Sequence, residues 1–439
     1  MTRRGILGTA LAAPAVTASP AGAQMPRPFF HMRRNGDYWY VVDLKGQPVY
    51  LTGMNHLGDG SVYPFDLKNQ HSSWENWVRS VRSDLIDWGF NYLGPTGASH
   101  ARSKRYLSLA ERKGHVISTA EWSAERYEAL DYPFTLMIGL PGKPNPDVFS
   151  EEFRAAIDDR CRQVCTRLKD NPQLIGYHFT HNPPWSYLNL AWRDMTTWID
   201  PIVNVPNSPA RRKWIEVMRR IYGTIDRYKL LYYPLKDWDQ LLTVDMPMHG
   251  VSGYGWVRQD QIAFIREVGK EWYRVWHESI RRYDTNHLIL GDRNTVHFTI
   301  LPTYILDVMY PYVDALCINM MGTAEQMMRN LRDVLMYWDK PIFPADTGAR
   351  AWDGRGEKSG GKMASDEEVG QAYWDHLRLG AEHPQIIGIA WCSYWETTVH
   401  HSGVRDAVTG KINAVVVNEM RKANAWAQRE LRRKTGVTG

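Results

Sequence analysis

Eight short apolar runs of strand length alternate along this chain with amphipathic stretches of helical period, and few architectures accept that rhythm. The runs are Val49–Asn55, Phe90–Gly94, Phe134–Gly139, Leu174–His181, His287–Asp292, Val313–Asn319, Pro341–Asp346 and Ile386–Trp395. Between them, stretches such as Trp74–Trp88, Glu152–Leu168 and Gln261–Arg282 repeat apolar residues three and four apart, which lays one helix face on a core. Ser365-Asp366-Glu367-Glu368 is a capping box opening a helix through Leu379, and a last helix is expected over about Ala414 to Arg433. Strand–helix alternation without a linker predicts an α/β fold, a single (β/α)8 TIM barrel. A doubly wound sheet would need a phosphate-binding glycine turn after an early strand, and Gly58-Asp59-Gly60 is only two glycines in a loop. Walker, HExxH, G-x-S-x-G and EF-hand patterns are absent from the sequence.

The expected organisation is a leader over 1–24, an N-terminal β-hairpin over 25–48, the barrel over 49–433 and a tail over 434–439. Arg3-Arg4 followed by a short apolar run, with Ala21-Gly22-Ala23 before Gln24, reads as a twin-arginine export signal. The expected localisation is therefore periplasmic or secreted. Lys45-Gly46 supplies the hairpin turn. The Tyr232–Trp256 stretch is expected as an elaborated loop after strand 4. Cys161, Cys165, Cys317 and Cys392 lack a zinc spacing and read as buried thiols, with a Cys161–Cys165 or Cys317–Cys392 contact left open. No metal, cofactor or membrane span is expected. With 53 basic against 48 acidic residues the net charge is only +5, and the densest basic runs sit at helix ends, so no nucleic-acid partner is expected.

In such a barrel the chemistry gathers where the strands end and the βα loops converge. Those ends are polar and aromatic: Asn55-His56 on strand 1, His181-Asn182 with Trp185 on strand 4, Asp292-Arg293 on strand 5, Asn319 on strand 6, Asp346 on strand 7, and Trp391 with Trp395-Glu396 on strand 8. The chain holds 19 Trp and 23 Tyr. Indole faces stack on the C–H faces of sugar rings, while Asn, His and Arg bind ring hydroxyls, so the expected partner is a carbohydrate.

The order of these landmarks resembles the clan A glycoside hydrolases, most nearly the agarase-like barrels of family 50. The similarity rests on Gly53-Met54-Asn55, the Asn171–Tyr177 entry to strand 4, Asp237–Leu242, His287–Arg293, Lys340-Pro341-Ile342 and Gly388–Trp391. It implies hydrolysis of O-glycosidic bonds in a galactose-containing oligo- or polysaccharide. It also implies an Asn-Glu pair after strand 4 with Glu as acid/base, and a Glu nucleophile ending strand 7. Here Asn182 matches, but the acid/base position is Pro183, and the nucleophile position is Asp346, one methylene shorter. Retaining hydrolysis needs two carboxyls about 5–5.5 Å apart, and a retreated carboxylate makes room for water and an inverting geometry.

Asp346, Glu396 and His181 are accordingly the catalytic candidates: Asp346 as nucleophile or base, Glu396 or His181 as proton donor. A salt bridge to Arg405 is the alternative for Glu396, and a sugar-hydroxyl ligand the alternative for His181. Asn55, His56, Asn182, Trp185, Arg293, Asn319, Trp391 and Trp395 are the substrate-binding candidates. An internal Asp292–Arg293 ion pair is expected at the end of strand 5, and Asp59 and Asp147 read as turn residues. Trp74, Trp77, Trp88, Trp272 and Trp276 stand at helical spacing and read as core. Two rival functions remain: a sugar-binding barrel without hydrolysis, and a sugar lyase using His181 as base.

Overall fold

The computed structural model describes residues 28–58, 71–97, 121–142, 145–183, 185, 198–232, 234–244, 255–295, 301–348, 365–392, 394–396, 403–406 and 410–436. The leader and Asp59 lie outside them, as does the expectation for each. Of Glu396 only the backbone is described.

Three short strands come first: β1 (His31–Asn35), β2 (Tyr38–Val42) and β3 (Pro48–Val49), joined as one antiparallel sheet. The expected hairpin is β2–β3, with Val41 opposite Val49 and a turn through Gly46 at φ 77°. The strand β1 is an addition that Arg33 and Arg34, exposed on its surface, disguise in the sequence. Phe30 and Val41 of this sheet join one buried cluster with Leu51, Leu288, Phe343 and Ile387, so the sheet packs onto the barrel interior.

The barrel follows: β4 (Leu51–Met54), β5 (Tyr92–Leu93), β6 (Phe134–Met137), β7 (Leu174–His181), β8 (Leu288–Thr295), β9 (Leu316–Met321), β10 (Ile342–Gly348) and β11 (Gly388–Trp391). They close in sequence order, β11 beside β4, with every neighbouring pair parallel. This is the expected (β/α)8 barrel. Helices form where the periodicity placed them: Trp74–Asp87, Glu151–Leu168, Asp366–Glu382 and Ala414–Thr435. The Ser365–Glu368 capping box is made in both directions. The last helix runs two residues into the expected tail, where Lys434 donates to the Ala381 carbonyl at 3.1 Å. Between β7 and β8 the chain elaborates into short helices, among them Pro209–Tyr222 and Trp238–Thr243, before the long helix Gly255–Tyr283. All four cysteines are free and buried, and the Cys161 and Cys165 thiols, one helical turn apart, are hydrogen-bonded. No helix among the described residues is long and apolar enough to cross a membrane.

Two of the barrel's backbone irregularities decide which way Arg293 and Asp346 face. Strand residues alternate faces, so one extra residue reverses every position after it. On β8 the register against β7 slips at Gly291, which sits at φ 70°. Leu290 points into the barrel, yet after the slip it is Arg293 that points inward, while Asp292 points outward to the helix at Trp272. On β10 the register against β9 slips between Pro344 and Asp346, leaving Ala345 as the extra residue.

Candidate active site

Asp346 stands at the C-terminal end of the seventh barrel strand and is 1% exposed. Its Oδ1 accepts from Asn55 Nδ2 at 3.1 Å. Its Oδ2 lies 3.1 Å from His56 Nε2 and 3.0 Å from Arg293 Nη2. The bulge at Ala345 turns its carbonyl to the same partners, which accepts from Asn55 Nδ2 at 2.7 Å and Arg293 Nη2 at 3.1 Å. Asn55 is seated by a close approach to Gly94, where any Cβ would stand 1.8 Å from Asn55 Oδ1. The ends of β4 and β8 thus meet the carboxylate carried by β10, with the end of β5 packed against Asn55.

Electrostatics follow from that packing. Burial pushes the Asp346 carboxyl upward, but the charges of His56 and Arg293, the His56 hydrogen bond and the charge of His181 outweigh it. The group is held well below the usual carboxylate range. Two of the converging residues sit in the left-handed region that non-glycine residues rarely adopt, His56 at φ 58° and Asn182 at φ 53°. Each such residue costs about 1–3 kcal/mol, and backbone strain of this kind collects at functional sites. His56 is fixed there by its own N–H on the Pro95 carbonyl, 3.1 Å, and by its Nδ1 on the Gly97 carbonyl, 2.8 Å. Asn182 is fixed by its N–H on the Arg293 carbonyl at 3.0 Å.

His181, at the end of β7, is half-buried, and its Nε2 lies 2.7 Å from Asn319 Nδ2. A neutral ring with its hydrogen on Nδ1 accepts the Asn319 amide N–H there, whereas an imidazolium, the form that can give up a proton, donates from Nε2 and faces the amide oxygen instead. Several buried polar atoms around this centre have no hydrogen-bond partner among the described residues: Asn55 Oδ1, Arg293 Nε and Nη1, and Asn319 Oδ1. Buried polar groups in native proteins are normally satisfied, by water or ligand where not by protein.

The remaining candidates fall elsewhere. Trp185 is fully buried, stacked on Trp198 at 5.0 Å and on Tyr273 at 5.6 Å, and it belongs to the packing under the loop after β7. Trp391 points outward, because its neighbour Ala390 takes the inner face of β11, and it meets Tyr373 and His376 edge-on at 5.2 and 5.7 Å. Trp395 stacks on Trp77 at 5.5 Å and donates to the Leu57 carbonyl at 2.8 Å. These three indoles are packing residues in this structure, which corrects their reading as open stacking platforms. The Asp292–Arg293 ion pair is also corrected. Asp292 accepts from Thr180 Oγ1 at 2.7 Å and Trp272 Nε1 at 2.9 Å, while Arg293 turns to Asp346. Glu396 pairs by its backbone in a two-stranded ribbon, β12 (Trp395–Glu396) with β13 (Arg405–Asp406). Arg405, the expected partner of Glu396, donates to Asp84 at 2.7 Å. Asp147 is a turn residue, accepting from Phe149 N and Ala210 N.

Glu121 carried no sequence signal. It precedes the helix Ala124–Leu130, 28 positions beyond Leu93, and accepts from Gly97 N at 2.8 Å, Thr96 N at 3.3 Å and the Tyr127 hydroxyl. His56, Asp346 and Cys392 bring one ligand-type atom each within 4.8 Å of one another. A divalent ion there would displace the His56–Asp346 bond and sit against the Arg293 guanidinium, so this donor set suits a cation poorly.

An eight-stranded parallel barrel closed in chain order, with a buried carboxylate at the end of its seventh strand, is the frame that positions this site. Solved structures bear this out for the fold. An exo-β-agarase matches with a TM-score of 0.70 at 16% identity, covering 93% of this chain and 66% of its own. The agarase AgWH50C gives 0.69 at 15%, with the same two coverages. A β-galactosidase from Bacillus circulans sp. alkalophilus gives 0.57 at 10%, covering 88% and 57%. This chain thus spans about two thirds of the length of the agarases and less of the galactosidase. No protein-family model matches the chain, and no curated protein matches it in sequence.

Proposed function

We propose that this chain is an exported glycoside hydrolase acting on O-glycosidic bonds of a galactose-containing oligo- or polysaccharide. The observation that carries the reading is the buried Asp346 at the end of strand 7, paired with Arg293 and His56, with His181 of strand 4 in its field. The fold likeness to agarases and a β-galactosidase supports the substrate class, and the twin-arginine leader supports export. The amide oxygens of Asn55 and Asn319 and the guanidinium nitrogens of Arg293 that have no partner among the described residues suit a ligand rich in hydroxyls.

A carboxylate held this far below its ordinary range is a weak general base. Asp346 therefore acts through its charge, stabilising the oxocarbenium-like transition state, and takes up the anomeric carbon only if the ring approaches the retreated oxygen. His181 protonates the leaving oxygen, the work that Pro183 cannot do. Water then supplies the hydroxyl that completes hydrolysis and returns the proton to His181.

A second reading, a barrel that binds sugar without cutting it, is favoured by one observation. Both Asp346 oxygens are already occupied by Asn55, His56 and Arg293. Mature protein tested on a panel of plant, algal and bacterial glycans, with products followed by mass and proton NMR, separates the two. Sugar release by wild type that is lost in both Asp346→Asn and His181→Ala supports hydrolysis. Glycan binding without release establishes the second reading, and an unsaturated product would move the assignment to a lyase.

A further inference from the structure

The geometry points to Glu121 as a positioning residue that orients His56 toward Asp346 through the loop after β5. This rests on Asp346 being the working carboxylate, as proposed above. Glu121 holds two consecutive backbone N–H groups, Oε1 on Thr96 at 3.3 Å and Oε2 on Gly97 at 2.8 Å. Its Oε1 is itself taken by the Tyr127 hydroxyl, and that hydroxyl lies 3.3 Å from Thr96 Oγ1. The loop after β5 is therefore clamped at the residue whose carbonyl receives His56 Nδ1 at 2.8 Å.

The consequence is chemical. A carbonyl only accepts, so Nδ1 must carry hydrogen, and the other nitrogen is the one presented to Asp346. With the ring turned this way, a hydrogen bond between Nε2 and the Asp346 carboxylate requires a second hydrogen on Nε2. Release of the Gly97 carbonyl would free the ring to take the other tautomer or to rotate away. It would also remove one of the two bonds that keep His56 at φ 58°, leaving its N–H on the Pro95 carbonyl.

The other groups facing Asp346 and His56 are known. Arg293 approaches from β8, His181 from the end of β7, Cys392 from beyond β11, and Tyr92 from β5. None of them contacts the Gly97 peptide among the bonds described; Gly58 N on the Thr96 carbonyl and Trp122 N on Thr96 Oγ1 also hold this loop, and Glu121 is the side chain that holds Gly97 itself. Burial pushes the Glu121 carboxyl up, against the bonds from Tyr127, Gly97 and Thr96 and the charge of Arg293.

The test needs no substrate, so its failure is distinct from failure of the hydrolase reading. Full-length mature protein is labelled with ¹⁵N-histidine and ¹³C-aspartate and compared with Glu121→Gln and Tyr127→Phe. In the parent, His56 Nδ1 gives the shift of a protonated nitrogen, and the Asp346 carboxyl does not titrate near its ordinary value of about 4. In Glu121→Gln the His56 nitrogens move to a mixed-tautomer pattern, and the Asp346 carboxyl begins to titrate toward that ordinary value. Tyr127→Phe moves both signals the same way by less, and it stands in if the first variant does not fold. Folded variants whose His56 shifts and Asp346 titration match the parent overturn the inference, whatever their stability. So does a Glu121→Gln effect on stability alone.

Discussion

Replacing Arg293 by Met keeps most of the side chain's length and removes its charge, leaving Asp346 with His56 and Asn55. Both partners of the lost pair are buried, 0% and 1% exposed. Removing one partner of such a pair costs about 3–5 kcal/mol, because the remaining charge stays desolvated. The Ala345 carbonyl also loses one of its two donors, about a further 1 kcal/mol. An exposed pair would be worth under about 1 kcal/mol, so the size of the loss decides between a buried anchor and a surface contact. The pH dependence has a definite sign. A depressed folded pKa stabilises above the unfolded value near 4, and that stability is lost as the pH falls toward the folded value. In Arg293→Met the folded value climbs, so the gap to the parent is full at pH 7 and narrows as the pH falls through the variant's value. Urea unfolding, followed by the fluorescence of the 19 tryptophans, measures the gap at pH 7 and pH 3.5. The double variant Arg293→Met/Asp346→Leu removes both charges of the pair, lets His56 give up its Nε2 hydrogen, and recovers most of the loss. A single variant within about 1 kcal/mol of the parent at pH 7, or a gap that widens toward acid, would refute this account of the site.

Burial pushes the Asp292 carboxyl up to about 6 against the bonds from Thr180, Trp272 and Tyr273. A raised carboxyl stabilises below its unfolded value near 4 and gives that up as the pH rises through 6, about 3 kcal/mol in all. Asp292→Asn should flatten that part of the stability curve between pH 4 and 7. Trp391→Ala and Trp395→Ala should each cost about 3–5 kcal/mol in unfolding free energy, as core truncations do. Glycan affinity of the folded fraction should be unchanged; a selective loss of affinity would restore the stacking role. Gly94→Ala should drive Asn55 off Asp346 and lower stability by about 1–3 kcal/mol, read by the same urea titration.

The barrel was legible because it rests on periodicity. Leu174–His181 begins and ends where its apolar run does, and the helix at Trp74 starts at the expected residue, capped by Ser73. Asp346, His56, Asn55, Arg293 and the His181–Asn319 pair were legible too, since position at a strand end was enough to place them around one centre. What escaped was anything set by parity or by a loop. The slip at Gly291 sent Asp292 outward and Arg293 inward, so neighbours in sequence became residues on opposite faces. Trp391 follows inward-facing Ala390 and so packs on the outer helix. Glu121 reaches the site through main-chain N–H groups, which leave no mark in a residue pattern.

The bulge at Ala345 has a consequence for the site without its carboxylate. Asn55 and Arg293 are anchored on the Ala345 main chain as well as on the Asp346 side chain. Truncating Asp346 to Ala therefore leaves its former partners standing around a hole the size of a carboxylate, facing a guanidinium and an imidazole. Such a hole is a receptor for small anions. Formate or azide, added from solution, would occupy it and return a negative charge, or a nucleophile, to the place the side chain vacated.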